Sequence, residues 1–178
     1  MDRILLSTVV HREPETVFPY LQDFTNYPTY AKHLESVDID GDGGPGTAYD
    51  LHLKWWKLRY TAKSRVTVVD EPASLRWELR TDIDARGEWR VEPLERRGSE
   101  ESTAADPNAA SRVYFEAVYD PHSADEDVVS LPRFVSMGWV IDKLRPRLMD
   151  EARRVLERLV EDIEGQRREV ELTVHEMP

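Results

Sequence analysis

Five histidines are the side chains best suited to metal or proton chemistry in this chain: His11, His33, His52, His122 and His175. No two of them stand four residues apart, as two ligands on one helix face would, and no HExxH occurs. Cysteine is absent, which removes disulfides, thiolate metal sites and cysteine nucleophiles together. The run Asp38-Ile39-Asp40-Gly41-Asp42-Gly43 opens like a calcium loop. Such a loop places a bidentate Glu at its twelfth position, where this chain has Tyr49, so the glycines suit a turn between strands better. Neither a GxSxG nucleophile elbow nor a GxxxxGK[ST] phosphate loop is present. Carboxylates are so abundant that a pair of them singles out nothing. No metal and no cofactor is expected.

The acids number 35 against 24 Lys and Arg, a net charge of −11, and only five of the basic residues are lysines. This acid-rich, lysine-poor composition resembles that of proteins from salt-loving archaea. At 1 M salt the Debye length is about 3 Å, so the self-repulsion of such a surface is screened. The negative field argues against duplex nucleic acid as a partner. No run of apolar residues is long enough to span a membrane. The opening Met1-Asp2-Arg3 is not followed by the pattern of a secretory signal, so a cytoplasmic location is expected. A chain of 178 residues fits one domain and buries about 70% of its unfolded surface, enough for a core with room for a cavity.

The elements that must position any site follow from periodicity. An apolar strand, Ile4 to Val10, precedes Pro14, which suits the first turn of a helix, and Val17, Phe18 and Leu21 mark that helix's apolar side. Asp23 or Thr25 can cap a second short helix with Pro28 in its first turn. A strand at Val37–Asp40 and a glycine turn come next. Alternation then predicts a meander of strands. Tyr49, Leu51, Leu53 and Trp55 share one face, as do Leu58, Tyr60, Ala62, Ser64, Val66 and Val68. Leu75, Trp77 and Leu79, then Trp89 and Val91, and then Val113, Phe115, Ala117 and Tyr119 continue the pattern. Residues 95–110 read as a flexible loop. Apolar residues at three- and four-residue steps, among them Phe134, Met137, Ile141, Leu144, Leu148, Ala152, Val155, Leu159 and Ile163, predict a long helix within 131–166. Pro146 should bend or break it. The tail, 167–178, alternates Val170, Leu172 and Val174 and suits a late edge strand or a partner-binding extension.

Strand, two short helices, antiparallel meander and long final helix resembles the helix-grip fold of the START-like (SRPBCC, Bet v 1-like) superfamily. The local likeness is to its polyketide cyclase/dehydrase branch. The residues that carry it are Pro14-Glu15-Thr16-Val17-Phe18 with Leu21, then Phe24, Tyr27 and Pro28, Gly46-Thr47 with Tyr49, Asp70-Glu71-Pro72 before Leu75 and Trp77, and the helix from Leu144 to Ile163. The likeness covers residues 1–166, with 167–178 as an extension. It implies an α+β fold in which a curved antiparallel sheet of about seven strands wraps the C-terminal helix, leaving a cavity between them.

A cavity in that place would be lined by apolar side chains with a few hydroxyls, as a site for a small hydrophobic molecule requires. Phe24, Tyr27 and Tyr30 are expected at its mouth. Tyr49, Tyr60, Ser64, Thr81 and Tyr119 would supply hydroxyls, and Trp77, Trp89 and Phe115 aromatic walls. Phe134, Met137 and Ile141 belong to the most apolar stretch of the chain, which packs on the sheet, gates the cavity or touches a membrane surface. His33 ends the second short helix near the mouth. Binding or transport of a hydrophobic small molecule (a lipid, quinone or polyketide-like aromatic) is the first expectation. A cyclase/dehydrase-type enzyme in which Tyr or His moves a proton is the second, without an evident catalytic motif. A protein-partner module is the third. The fold alone does not separate the three, and oligomeric state is not legible.

Overall fold

A computed structural model describes residues 1–80, 83–94, 109–123 and 137–178, apart from the side chains of 137, 138, 140, 141, 144 and 145. Thr81, Phe134, the side chains of Met137 and Ile141, and most of the loop predicted at 95–110 lie outside the described residues.

The first apolar alternation forms β1 (Asp2–Val10). Pro14 opens α1 (Pro14–Gln22), where its missing N–H leaves no bond unmade. Asp23 caps the following 3-10 helix (Phe24–Thr29), its carboxylate accepting from the Thr25 N–H at 3.2 Å. The meander is β2 (Leu34–Asp40), β3 (Ala48–Trp55), β4 (Leu58–Asp70), β5 (Ser74–Leu79), β6 (Ala85–Leu94) and β7 (Ala110–Tyr119). The long helix α2 spans Met137–Glu164, and β8 (Thr173–Glu176) closes the chain.

All eight strands form one antiparallel sheet in the order β2-β3-β4-β5-β6-β7-β1-β8. The eighth strand is the tail. It covers the edge of β1 and is pinned there by Ser7 Oγ to His175 Nε2 at 2.8 Å and by an Arg3–Glu176 ion pair at 2.7 Å. Covering the free edge of β1 removes a row of unpaired backbone groups.

The core lies between one sheet face, α1 and the C-terminal part of α2. Val17, Phe18 and Leu21 of α1 have no solvent exposure. They cluster with Val66, Leu75, Trp89, Val91 and Val113 from the sheet and with Leu156, Leu159, Val160 and Ile163 from α2. This is the α+β helix-grip architecture.

One expectation is corrected and one is narrowed. The alternation in β4 does not continue to Val68. A bulge at Thr67 pairs Val66 with Trp77 but Val68 with Arg76. One extra residue reverses the facing of everything after it, so Val68 is 41% exposed while Val69 packs on the core. Pro146 does not break α2, which runs on through it. Pro146 and Asp142, whose carbonyl loses its partner, are both exposed, so water can replace the missing bond.

Candidate functional site

Beyond the closed end of the core, the sheet and α2 enclose a cavity of about 950 Å³, at the upper end of the roughly 300–1,000 Å³ range of small-molecule sites. Its floor comes from alternate positions of the inner sheet strands: Ile4 and Leu6 of β1, Trp89 of β6, and Val113 and Phe115 of β7. The period of two that buries these residues also sets them side by side across paired strands, Leu6 opposite Phe115 and Phe115 opposite Trp89. Leu148, Ala152, Val155 and Leu156 of α2 form the roof at helical spacing. A third wall comes from Tyr27 and Leu34 with Leu53, Trp55 and Leu58 at the β3–β4 tip.

Phe115 stands against Trp89, ring centroids 4.8 Å apart, and stacks on Trp77 at 6.4 Å and 21°. The Trp77 indole lies over Gly87, its strand partner, where an added Cβ would sit 2.3 Å from the indole and 2.5 Å from the Glu116 carbonyl. Glycine at 87 is what lets the indole lie flat against the sheet.

Of the residues singled out from sequence, Tyr27, Tyr60, Trp89 and Phe115 line this cavity, and so does His33. Phe24, Tyr49 and Tyr30 are buried beside it instead, and Phe24 packs on both Tyr27 and Tyr49. Ser64 is buried on β4 with an Oγ that has no hydrogen-bond partner among the described residues. Trp77 backs Phe115, and Tyr119 sits half-buried where β7 meets Asp2 of β1 and Ala85 of β6.

Several hydroxyls in and around the cavity are already engaged. Tyr27 donates to the Leu21 carbonyl, and burial pushes its phenol well above the usual tyrosine range. Thr8 donates to the Glu171 carbonyl at 2.9 Å. Tyr30 donates to Asp162 and accepts from Asn26, tying the 3-10 helix to α2. Burial, followed by that carboxylate, raises its pKa. Tyr49 is also raised, first by burial and then by Asp23 and Asp42.

The polar group that sequence reasoning missed is Glu151. It lines the cavity from α2, and its Oε1 is buried with no hydrogen-bond partner among the described residues, while Oε2 reaches Arg154 at 3.6 Å. The available signal was its spacing, three residues after Leu148 and four before Val155, on the apolar face of the helix. The exposed cavity-lining residues Lys32, Lys54, Arg147 and Arg154 mark where the space meets solvent.

The calcium-like run is built as a turn. The Gly43 N–H donates to Thr47 Oγ1 at 3.0 Å, Asp42 accepts from the Gly44 N–H, and Gly41 has φ +135° with no room for a Cβ beside Thr47. Among the described residues no group of three or more His, Asp or Glu side chains is placed to hold a metal ion, and no helix is long and apolar enough to cross a membrane.

Comparison with solved structures gives the same architecture. The Zhui aromatase/cyclase from Streptomyces sp. R1128 superposes with a TM-score of 0.67 at 17% identity, over 91% of this chain and 93% of that one. A START superfamily protein from Mycobacterium smegmatis gives 0.61 at 17% identity, over 92% and 99%. A protein from Thermus thermophilus gives 0.60 at 18%, over 92% and 97%. At such identities the likeness is one of fold. No curated protein matches the sequence. The family model described as polyketide cyclase / dehydrase and lipid transport matches residues 1–164, and the chain belongs to that family.

Proposed function

We propose that this protein binds and carries a hydrophobic small molecule, of lipid, quinone or polyketide-like character, in the cavity between sheet and α2. The observation that carries this is the cavity itself: about 950 Å³ with walls that are predominantly Leu, Ile, Val and aromatic side chains. Burial there stabilises a ligand by about 0.8 kcal/mol per CH₂ removed from water. Tyr27, Tyr60, Trp89 and Phe115 would touch the ligand, with Phe24, Tyr30, Tyr49, Ser64, Trp77 and Tyr119 supporting or extending that wall. Native mass spectrometry of protein isolated from its own host tests the idea. A co-purifying apolar molecule is expected, and ligand-free protein that also takes up no hydrophobic dye would refute it.

The location proposed is the cytoplasm of a cell with a high internal salt concentration, supported by the net charge of −11 and the five lysines. The melting temperature should rise on going from dilute buffer to molar KCl. A flat dependence removes the salt-adapted part of the proposal.

Cyclase/dehydrase-type catalysis is the second reading, favoured by a specific pair of groups. Glu151 presents a buried carboxylate oxygen in the cavity, and Tyr60 lines the same space. A folded poly-carbonyl chain held there would gain from proximity, and Glu151 or Tyr60 could move its proton. Glu151→Gln and Tyr60→Phe should each lower turnover at least tenfold if either group moves the proton. Binding without any turnover in the unmodified protein leaves carriage.

A further inference from the structure

The cavity's charged residues run against the composition of the chain. Across the whole sequence Lys and Arg number 24 against 35 Asp and Glu. Around the cavity, Lys32, Lys54, Arg147 and Arg154 stand against Asp150 and Glu151. Two of these cations are committed: Lys54 pairs with Glu35 at 3.4 Å and Arg154 with Glu151 at 3.6 Å. Lys32 and Arg147 are exposed and have no carboxylate partner among the described residues. They border the cavity from two different elements, Lys32 from the segment after the 3-10 helix and Arg147 from α2. Lys57 adds positive charge at the β3–β4 tip, next to the lining residues Trp55 and Leu58, while Arg59 shares Glu35 with Lys54 at 4.0 Å. Three of only five lysines thus lie on the two segments that flank the opening.

An apolar interior that ends at cations without a carboxylate partner among the described residues is matched to one kind of ligand. We propose that the ligand is an amphiphilic anion, whose apolar body fills the cavity and whose carboxylate or phosphate head lies at the mouth against Lys32 and Arg147. Arg147 can take such a head in two parallel hydrogen bonds, and Lys32 acts as a mobile point charge. The inference rests on the proposed carriage of a hydrophobic molecule and adds the chemistry of its head.

Laurate, dodecyl phosphate and dodecanol share one apolar chain and differ in the head. Their binding can be compared by displacement of a neutral polarity-sensitive dye from the purified protein in dilute buffer at about pH 8, where both acids are ionised. Laurate or dodecyl phosphate is expected to bind about tenfold more tightly than dodecanol, as a charge-assisted hydrogen bond implies. Whichever head is preferred identifies the source chemistry. The preference should shrink in molar KCl. In K32E/R147E it should fall to about one, and in the milder K32Q, which keeps the fold under less strain, it should drop severalfold; circular dichroism checks both variants. Equal affinity of all three probes overturns the anionic head and leaves carriage standing. So does a preference that survives in both variants. Failure of every probe to displace the dye overturns carriage and the head with it.

Discussion

The C-terminal part of α2, from Leu156 to Ile163, and the part before it, from Arg147 to Val155, carry the same apolar periodicity and meet different surroundings. Leu156, Leu159, Val160 and Ile163 are 1–7% exposed and touch α1 and the sheet. Leu148, Ala152 and Val155 face the cavity, and Leu156 stands at the border, buried in the core and also part of the cavity roof. The difference comes from α1, whose Val17, Phe18 and Leu21 fill the space beneath the last turns of α2 and stop there. The filled end is also locked by charge. Glu164, whose side chain is 1% exposed, accepts two bonds from Arg168 at 2.7 and 2.8 Å and one from the His11 N–H at 2.9 Å. The open end has exposed cations and a β3–β4 tip on which Trp56 is 80% exposed with φ +55°. Stability is concentrated where α1 plugs the grip, and binding capacity where it does not.

That contrast can be broken most severely at Phe18. Phe18→Ala empties a site with no solvent exposure and should cost about 3–5 kcal/mol, read by denaturant unfolding. A loss below about 1 kcal/mol would mean that α1 does not bear the filled end.

Glu164→Gln is expected to cost about 1.5–3 kcal/mol near neutral pH through its charge-assisted bonds. Burial alone would raise the Glu164 pKa, but the Arg168 hydrogen bonds, the His11 N–H and the charges of Arg168 and His11 outweigh it and leave the carboxyl below its ordinary value. A carboxyl depressed by folding contributes stability above its unfolded pKa of about 4.3, and that contribution is lost as pH falls through the lower native value. Stability of the unmodified protein should therefore decline below about pH 4.3, with a shallower decline in the variant. Identical acid limbs would show that the lock is not coupled to folding.

Gly87→Ala asks whether the open end is loose throughout or only above its floor. The Trp77 indole and the Glu116 carbonyl leave no room for the methyl, so a loss of about 1–3 kcal/mol is expected as the Trp77–Phe115 stack shifts. A neutral result would mean that the floor yields as readily as the opening.

The smallest effect on stability belongs to Val155→Trp, which fills the cavity from the roof. Folding stability should stay unchanged or rise by up to about 1 kcal/mol, while uptake of a hydrophobic dye is lost. Dye binding that persists would place the ligand elsewhere.

The alternation of Tyr49 to Trp55 and of Val113 to Tyr119, the proline at the start of α1 and the three-four pattern of α2 were all readable in the chain, because each reflects local geometry of period 2 or 3.6. The same reasoning placed Val68 inward, since a bulge carries no reliable local mark and Thr67 looks like any other strand residue. Glu151 disappeared among 35 acids, and whether Lys32 and Arg147 have carboxylate partners among the described residues depends on which acids lie near in space. Aromatic type placed Phe24, Tyr27 and Tyr30 at the mouth, Tyr49 among the hydroxyls and Trp89 and Phe115 in the walls of one cavity. Their division between core and cavity depends on where α1 ends.

By itself the sequence determined the order of elements, the apolar faces that must meet, the family resemblance and the acidic character of the surface, because local periodicity and composition are properties of neighbouring residues. Only the tertiary structure decided that the apolar face of α2 is filled along one part and open along another. It also decided that the tail covers β1 and that cations gather at the opening of an acidic protein. Each of these depends on residues far apart in the chain being brought together, and no pattern along the chain records that distance.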